Sequence, residues 1–214
     1  GVLGANDGIV STAGLVIGVA AATTNRGAIF TAGLAGLAAG AMSMAVGEYV
    51  SVSTQRDTEK ALLAKERQEL RDDPAAELAE LAEIYAAKGL DEGLAREVAE
   101  ALTRQDPLAA HAEAELGIDP HELTNPWQAA VASFVSFTLG ALLPLIAVLN
   151  PSASWRIPGT VIVVLLALAL TGYVSARLGG AVIGRAVARV VAGGIAAMAV
   201  TYLIGRLFGT AVGA

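Results

Sequence analysis

Long uninterrupted apolar runs lie on either side of a single long polar stretch in this chain. Five apolar segments reach the roughly 20 residues of helix that cross a bilayer: about Val2 to Ala22, Gly27 to Val50, Ala129 to Leu149, Ile157 to Ala176 and Ala181 to Phe208. The third contains Pro144, which membrane helices tolerate better than soluble ones. The fifth carries Arg185 and Arg189 one turn apart near its start, so its deepest part is the uncharged run Val190 to Gly205, and both arginines are expected to reach the interface by snorkelling. The polar stretch, Ser51 to Asn125, reads as a small helical bundle. Thr54 to Arg71 holds no Gly or Pro and can continue the second membrane helix. Asp72, Asp73 and Pro74 supply a cap and a first-turn proline for a helix over Ala75 to Lys88, which Gly89 ends. Another helix, Asp91 to Gln105, sets Leu94, Val98 and Leu102 on one face, and after Asp106-Pro107 a last one runs to Leu116 and stops at Gly117. Asn125-Pro126-Trp127 marks the return to the membrane, with tryptophan at the interface.

The expected fold class is therefore an all-α membrane protein: five transmembrane helices with a cytoplasmic helical-bundle insert between the second and third. The chain divides as 1–53 (helices one and two), 54–124 (an acidic helical metal-binding domain) and 125–214 (helices three to five). Small residues four apart, Gly4/Gly8, Gly14/Gly18, Gly36/Gly40 and Gly180/Gly184, are candidates for close helix contact. The sequence starts at Gly1 without methionine or polar leader, so further N-terminal sequence is expected and no targeting signal is argued either way.

Composition agrees with the pattern. Of the 214 residues 55% are hydrophobic and 16% charged, with a mean hydropathy of +0.60, too apolar for an ordinary soluble domain. There is no cysteine, which leaves carboxylate, imidazole and thioether as metal-binding groups. Charge is uneven: the segment Arg56 to Glu122 holds 18 of the 20 acidic residues, eight of the 14 basic ones and both histidines, a net charge of −10. That balance argues against nucleic acid as a partner and for a polar insert that attracts cations. The arginines and lysines just after the second helix and around the fourth loop put the insert on the cytoplasmic side by the positive-inside rule, with the N-terminus inside and the C-terminus outside.

Asp7 and Glu48 are the only acids within the membrane segments, where a charge costs several kcal/mol. Counted from the turn at Asn25, Asp7 lies 18 residues back and Met44 lies 19 forward, so at 1.5 Å per residue both are about 27 to 29 Å from that loop. Glu48 is one turn beyond Met44 on the same face. If the first two helices are antiparallel neighbours, two carboxylates and a thioether stack near the cytoplasmic end as a cation pathway with a protonatable group. The plainer alternative is an interfacial Glu48 and an Asp7 that caps its helix.

In the insert, Glu66/Glu69 and Glu77/Glu80 stand at i, i+3, and by spacing alone they suit a solvated acidic surface at least as well as a site. Together with His111, Glu113 and Glu115 just before the chain returns to the membrane, they favour a divalent cation that neutralises repelling carboxylates. No E-x-x-H diiron signature is present, so ferritin-like oxidation has no support and the chain is not expected to be an enzyme.

The start GANDGIVS, the second-helix stretch AMSMAVGEYVSVSTQRDTE, the acidic insert and the segment ELGI followed by NPWQAAVASFVSFTLGALLPLI resemble the vacuolar iron transporter family across nearly the whole chain, in a bacterial member by its Ala-rich composition. The resemblance implies a homodimer that exports Fe²⁺ from the cytoplasm in exchange for protons, with no permanently bound cofactor. It implies that Asp7 and Met44 line the pathway, with Glu48 similarly placed. It also implies that Glu66, Glu69, Glu77, Glu80 and Glu115 hold metal in the insert. The family's methionine pair one turn before that last glutamate is replaced here by His111 and Ala112; imidazole binds Fe²⁺, Zn²⁺ or Mn²⁺ well, which opens the metal preference, Co²⁺ included. The expected partners are divalent ions, protons, the bilayer of the cell membrane and a second copy of the chain. Two rivals are an uncoupled or metal-gated cation channel with the same ligands, and a non-transporting membrane scaffold whose acidic bundle docks a basic partner.

Overall fold

The computed structural model describes residues 1–211 of the chain. Among these the fold is helical: α1 Val2–Ala22, α2 Arg26–Asp72, α3 Pro74–Ala87, α4 Glu92–Gln105, α5 Pro107–His111, a π turn Ala112–Leu116, then α6 Pro126–Ala147, α7 Ala153–Leu178 and α8 Ile183–Ala211. Five of these helices (α1, α2, α6, α7 and α8) are long and apolar enough to cross a membrane. The chain forms two compact units, Gly1–Tyr49 together with the chain from Trp127 on, and Val50–Pro126; α2 runs without a break from the first into the second.

In the first unit α1 is central, because one side of it fits α7 and α8 and another fits α2 and α6. Ile9, Ala13 and Ile17 pack with Val164 and Leu168 of α7 and Met198 of α8. Val16 packs with Ile29, Leu37 and Ala41 of α2 and with Phe137, Ala141 and Leu145 of α6. Apolar burial does not drive helix association inside lipid, so these contacts depend on close fit. Glycine supplies it at two crossings. A Cβ on Gly140 would run into the carbonyl of Ala5, and one on Gly205 into the carbonyl of Gly18, so α1 meets α6 and α8 backbone to backbone. Gly4, Gly8, Gly14, Gly18, Gly36 and Gly40 likewise face neighbouring helices. The Gly180/Gly184 pair does not: Gly180 has φ +64° in the turn after α7, and a Cβ on Gly184 would meet nothing within 4 Å. There four-residue spacing reflects a turn, where φ > 0 favours glycine.

Arg26 and Arg156, the lone charges of their loops, are bound to helix ends. Arg26 Nη2 donates to the Leu149 carbonyl at 2.6 Å. The buried Arg156 donates from Nη1 to the Thr24 carbonyl at 3.1 Å and from Nε to the Asn150 carbonyl at 3.4 Å. These carbonyls lie in the turns just beyond α1 and α6, where no helical N–H reaches them, so a guanidinium supplies the missing donors.

In the Val50–Pro126 unit, helix starts follow the aspartates. Asp73, Asp91 and Asp106 accept from the backbone N–H of Ala76, Gly93 and Ala109 at 3.0, 2.9 and 3.0 Å, and Pro74 and Pro107 open α3 and α5 where their missing N–H costs nothing. Leu81, Ala99 and Ala110 form the small core of α3, α4 and α5. The last helix differs from the sequence expectation. Its α-helical part ends at His111, and Ala112–Leu116 is wound as a π turn closed by an Ile118 N–H to Ala112 carbonyl bond of 2.9 Å and by Gly117 at φ +64°.

Candidate functional site

Two groups of side chains merit chemical attention, one in each unit. In the Val50–Pro126 unit, α2 supplies Glu66, α3 supplies Glu77 and α5 supplies His111. One potential ligand atom from each lies within 4.8 Å of the others. His111 is fully buried, and Glu66 and Glu77 are 3% and 9% exposed. His111 Nδ1 is 3.1 Å from Glu66 Oε1 and 3.6 Å from Glu77 Oε2. The shorter contact is not a hydrogen bond: Glu66 Oε1 and both imidazole nitrogens are buried without a hydrogen-bond partner. Buried polar groups without partners cost about 1–3 kcal/mol each, a cost that a cation shared by the two carboxylates and one imidazole nitrogen would relieve.

The electrostatics match. Burial, reinforced by the charges of Glu115, Glu77, Glu69 and Glu80, raises the Glu66 carboxyl to about 7. Burial also raises Glu77, helped by Glu80, Glu69 and Glu115 and partly opposed by Lys65. Burial lowers His111, against the pull of Glu115 and Glu80. The other predicted acids stand in different places. Glu69 is partly exposed and paired with Lys65 at 2.8 Å. Glu80 and Glu115 are exposed and act on the buried pair through their charge. Glu113, also exposed, lines a separate cavity with Tyr85, Asp106 and Ala109. An oxygen–oxygen–nitrogen donor set suits a divalent first-row ion better than Mg²⁺ or Ca²⁺, which prefer oxygen alone.

In the other unit, Asp7 of α1 and Met44 of α2 meet at two cavities. One, of about 330 Å³, is lined also by Ser11, Thr12 and Ser43. The other, of about 590 Å³, is lined also by Asn6 and Arg189. Glu48, one turn beyond Met44, is half-buried and lines neither; its neighbour Tyr49 packs on Trp127 with ring centroids 4.9 Å apart. Ser11 Oγ donates its proton to the Asp7 carbonyl at 2.6 Å, which leaves lone pairs as its remaining hydrogen-bonding capacity. Thr12 is 1% exposed and its hydroxyl has no partner, although Thr160 and Thr201 in the same unit donate to carbonyls of their own helices. Sequence alone does not single out these hydroxyls or Arg189 as pathway groups. Ser11 and Thr12, about one turn after Asp7, carried a usable signal, whereas Arg189 joins Asp7 only through the packing of α1 against α8.

Five membrane-length apolar helices, an intramembrane carboxylate beside a thioether, and a buried carboxylate–imidazole cluster define a multi-pass membrane protein with metal-type ligand sets. The sequence profile of the VIT family matches residues 1–206, and the chain belongs to that family. A vacuolar iron transporter of Acanthamoeba castellanii is 44% identical over 208 residues, covering 97% of this chain and 77% of the relative. Vacuolar iron transporter homolog 1 of Oryza sativa subsp. japonica is 40% identical, covering 97% and 72%. Vacuolar iron transporter homolog 1 of Arabidopsis thaliana is 36% identical, covering 98% and 82%.

Proposed function

We propose that the chain is a transporter of divalent metal, with Fe²⁺ as the first substrate, that exports the ion from the cytoplasm across the cell membrane in exchange for protons and works as a homodimer. The observation that carries the reading is the convergence of buried Glu66, Glu77 and His111, with Glu66 Oε1 and both His111 nitrogens lacking hydrogen-bond partners, in a membrane protein of a family whose members include vacuolar iron transporters. On this reading the Val50–Pro126 unit lies in the cytoplasm and captures the ion. Glu66, Glu77 and His111 are its ligands, and Glu69, Glu80, Glu113 and Glu115 raise the local cation concentration around them. Asp7 and Met44, with Glu48 one turn away, then take the ion into the membrane. A proton and a divalent ion compete for the same carboxylate oxygens, so on this reading the arrival of a proton releases the metal. No permanently bound cofactor is invoked and no covalent chemistry is catalysed.

The test is flux into proteoliposomes under reducing conditions, with a pH dye in the lumen. Fe²⁺ entry matched by proton exit supports exchange. Fe²⁺ entry without a pH change selects the channel, and no entry of Fe²⁺, Mn²⁺, Zn²⁺ or Co²⁺ overturns transport altogether.

A further inference from the structure

The cluster of Glu66, Glu77 and His111 already has a cation beside it. Lys65 precedes Glu66 on α2, and its Nζ donates to both carboxylate oxygens of Glu69, each at 2.8 Å. At about 100° per residue, Glu69 lies about 60° from Glu66 around the helix and about 40° from Lys65, so its carboxylate can turn to either side. In the structure it is turned to the ammonium. Glu69 nevertheless stays within electrostatic reach of the cluster. Its charge acts on both Glu66 and Glu77, and the charge of Lys65 acts on Glu77 in the opposite direction.

The weakness of the pair decides what it can do. Exposed lysine–glutamate pairs at i, i+4 contribute little, and the Lys65 and Glu69 side chains are 69% and 40% exposed. Three protein donors leave a first-row divalent ion short of the four or more ligands it takes. Such an ion carries twice the charge of the ammonium, so it draws the Glu69 carboxylate more strongly than Lys65 does. We propose that Lys65 sets the retention of metal at the cluster by holding Glu69 in reserve: the ion recruits Glu69 as a further oxygen ligand, and Lys65 reclaims it as the ion leaves. Lys65 is thus a positioning residue whose charge weakens binding and hastens release, which suits a site that passes its ion on. The inference rests on the cluster as the capture site of the proposed function.

Calorimetric titration of the full chain in detergent with Zn²⁺ tests it. Lys65→Gln is expected to tighten binding by roughly 3- to 10-fold, through slower release in a chelator chase, while Lys65→Arg keeps the parent value. The sign separates charge from structure, because replacing a merely structural lysine would weaken binding. In a double-mutant cycle Glu69→Gln should weaken the Lys65→Gln protein by about 10-fold and the parent by no more than about 3-fold. Equal losses in the two backgrounds overturn the proposal, as does unchanged or weaker binding in Lys65→Gln. Zn²⁺ binding that His111→Ala abolishes but Lys65→Gln leaves untouched overturns this proposal alone, whereas a parent that binds no Zn²⁺ overturns the capture reading together with it.

Discussion

The two units handle negative charge in opposite ways. The unit around α1 holds just two acids, Asp7 and Glu48, against six arginines, and the approach of glycine-bearing helices leaves Asp7 beside cavities lined mostly by small and apolar side chains. The Val50–Pro126 unit holds 18 acids and eight basic residues and buries two of the carboxylates with an imidazole. In the first, one carboxylate is costly because lipid offers it no solvation. In the second, a carboxylate is costly because it is desolvated among others of the same sign. A divalent cation relieves both costs. The isolated carboxylate suits passage, since a single charged ligand can be exchanged, and the cluster suits retention, since several ligands must be lost together.

The largest effect expected is a separation of these two roles. Asp7→Asn should cut Fe²⁺ flux by on the order of 100-fold, the consequence of withdrawing about 3 kcal/mol of charged ligation, while metal titration of the purified chain by calorimetry at the Glu66–Glu77–His111 site stays unchanged. His111→Ala should do the reverse, weakening that calorimetric site by at least 10-fold, since loss even of groups that merely support a ligand costs roughly 10–100-fold. Equal loss of binding in both variants would mean that the two units do not divide the work.

Proton competition offers a finer test. Glu66 must be ionised to bind metal, and its carboxyl is raised to about 7. Burial lowers His111, so the imidazole is already neutral near that pH and competes little. Affinity at the cluster is therefore expected to fall by at least about 10-fold between pH 8 and pH 6, the Glu66 proton accounting for about 10-fold and Glu77, raised in the same direction, adding to it, as read by calorimetry at the two values. A pH-independent affinity would show that Glu66 is not a ligand.

How far the molecule was legible in its sequence differs between the units for the same physical reason. The five membrane-length helices follow from run length and the aspartate caps from local chemistry, and both kinds of signal are contained in a few residues. Which acids turn inward is not a local property. Glu66 and Glu69 are indistinguishable at i, i+3 until Leu63 is known to be buried, which puts Glu66, three residues on, on the covered face; Glu77 has the same relation to Leu81, four residues away. The buried-leucine stripe was the available signal. The π turn after His111 had none, because its register departs from the helical period on which pattern reading rests. The cavity that Arg189 of α8 shares with Asp7 is beyond pattern reading for a similar reason: hydropathy sees α8 alone, and that cavity exists only once α1 is packed beside it.

The smallest predicted effect sharpens the comparison, since it asks whether the cluster is built for metal at the expense of the metal-free fold. The folded-state value of Glu66 is raised from 4.5 to about 7, so between these values the folded chain holds more protons than the unfolded one. Its protonation thus supports the fold fully below pH 4.5, and the support is lost as pH rises through 7. At pH 8 the metal-free protein bears the whole cost of an ionised, buried and repelled carboxylate. Glu66→Gln removes that charge while keeping the shape, so its Tm at pH 8 should exceed that of the parent by several degrees, at about 2–4 °C per kcal/mol for a chain of this size. The gap should close as pH falls below 7, where the parent is itself neutral at this position. Adding Fe²⁺ or Zn²⁺ at pH 8 should reverse the order by raising the parent Tm and leaving the variant unmoved. If thermal melts instead find Glu66→Gln less stable than the parent at every pH, the carboxylate is a structural group with an unrecognised donor, and the cluster is not held open for a cation.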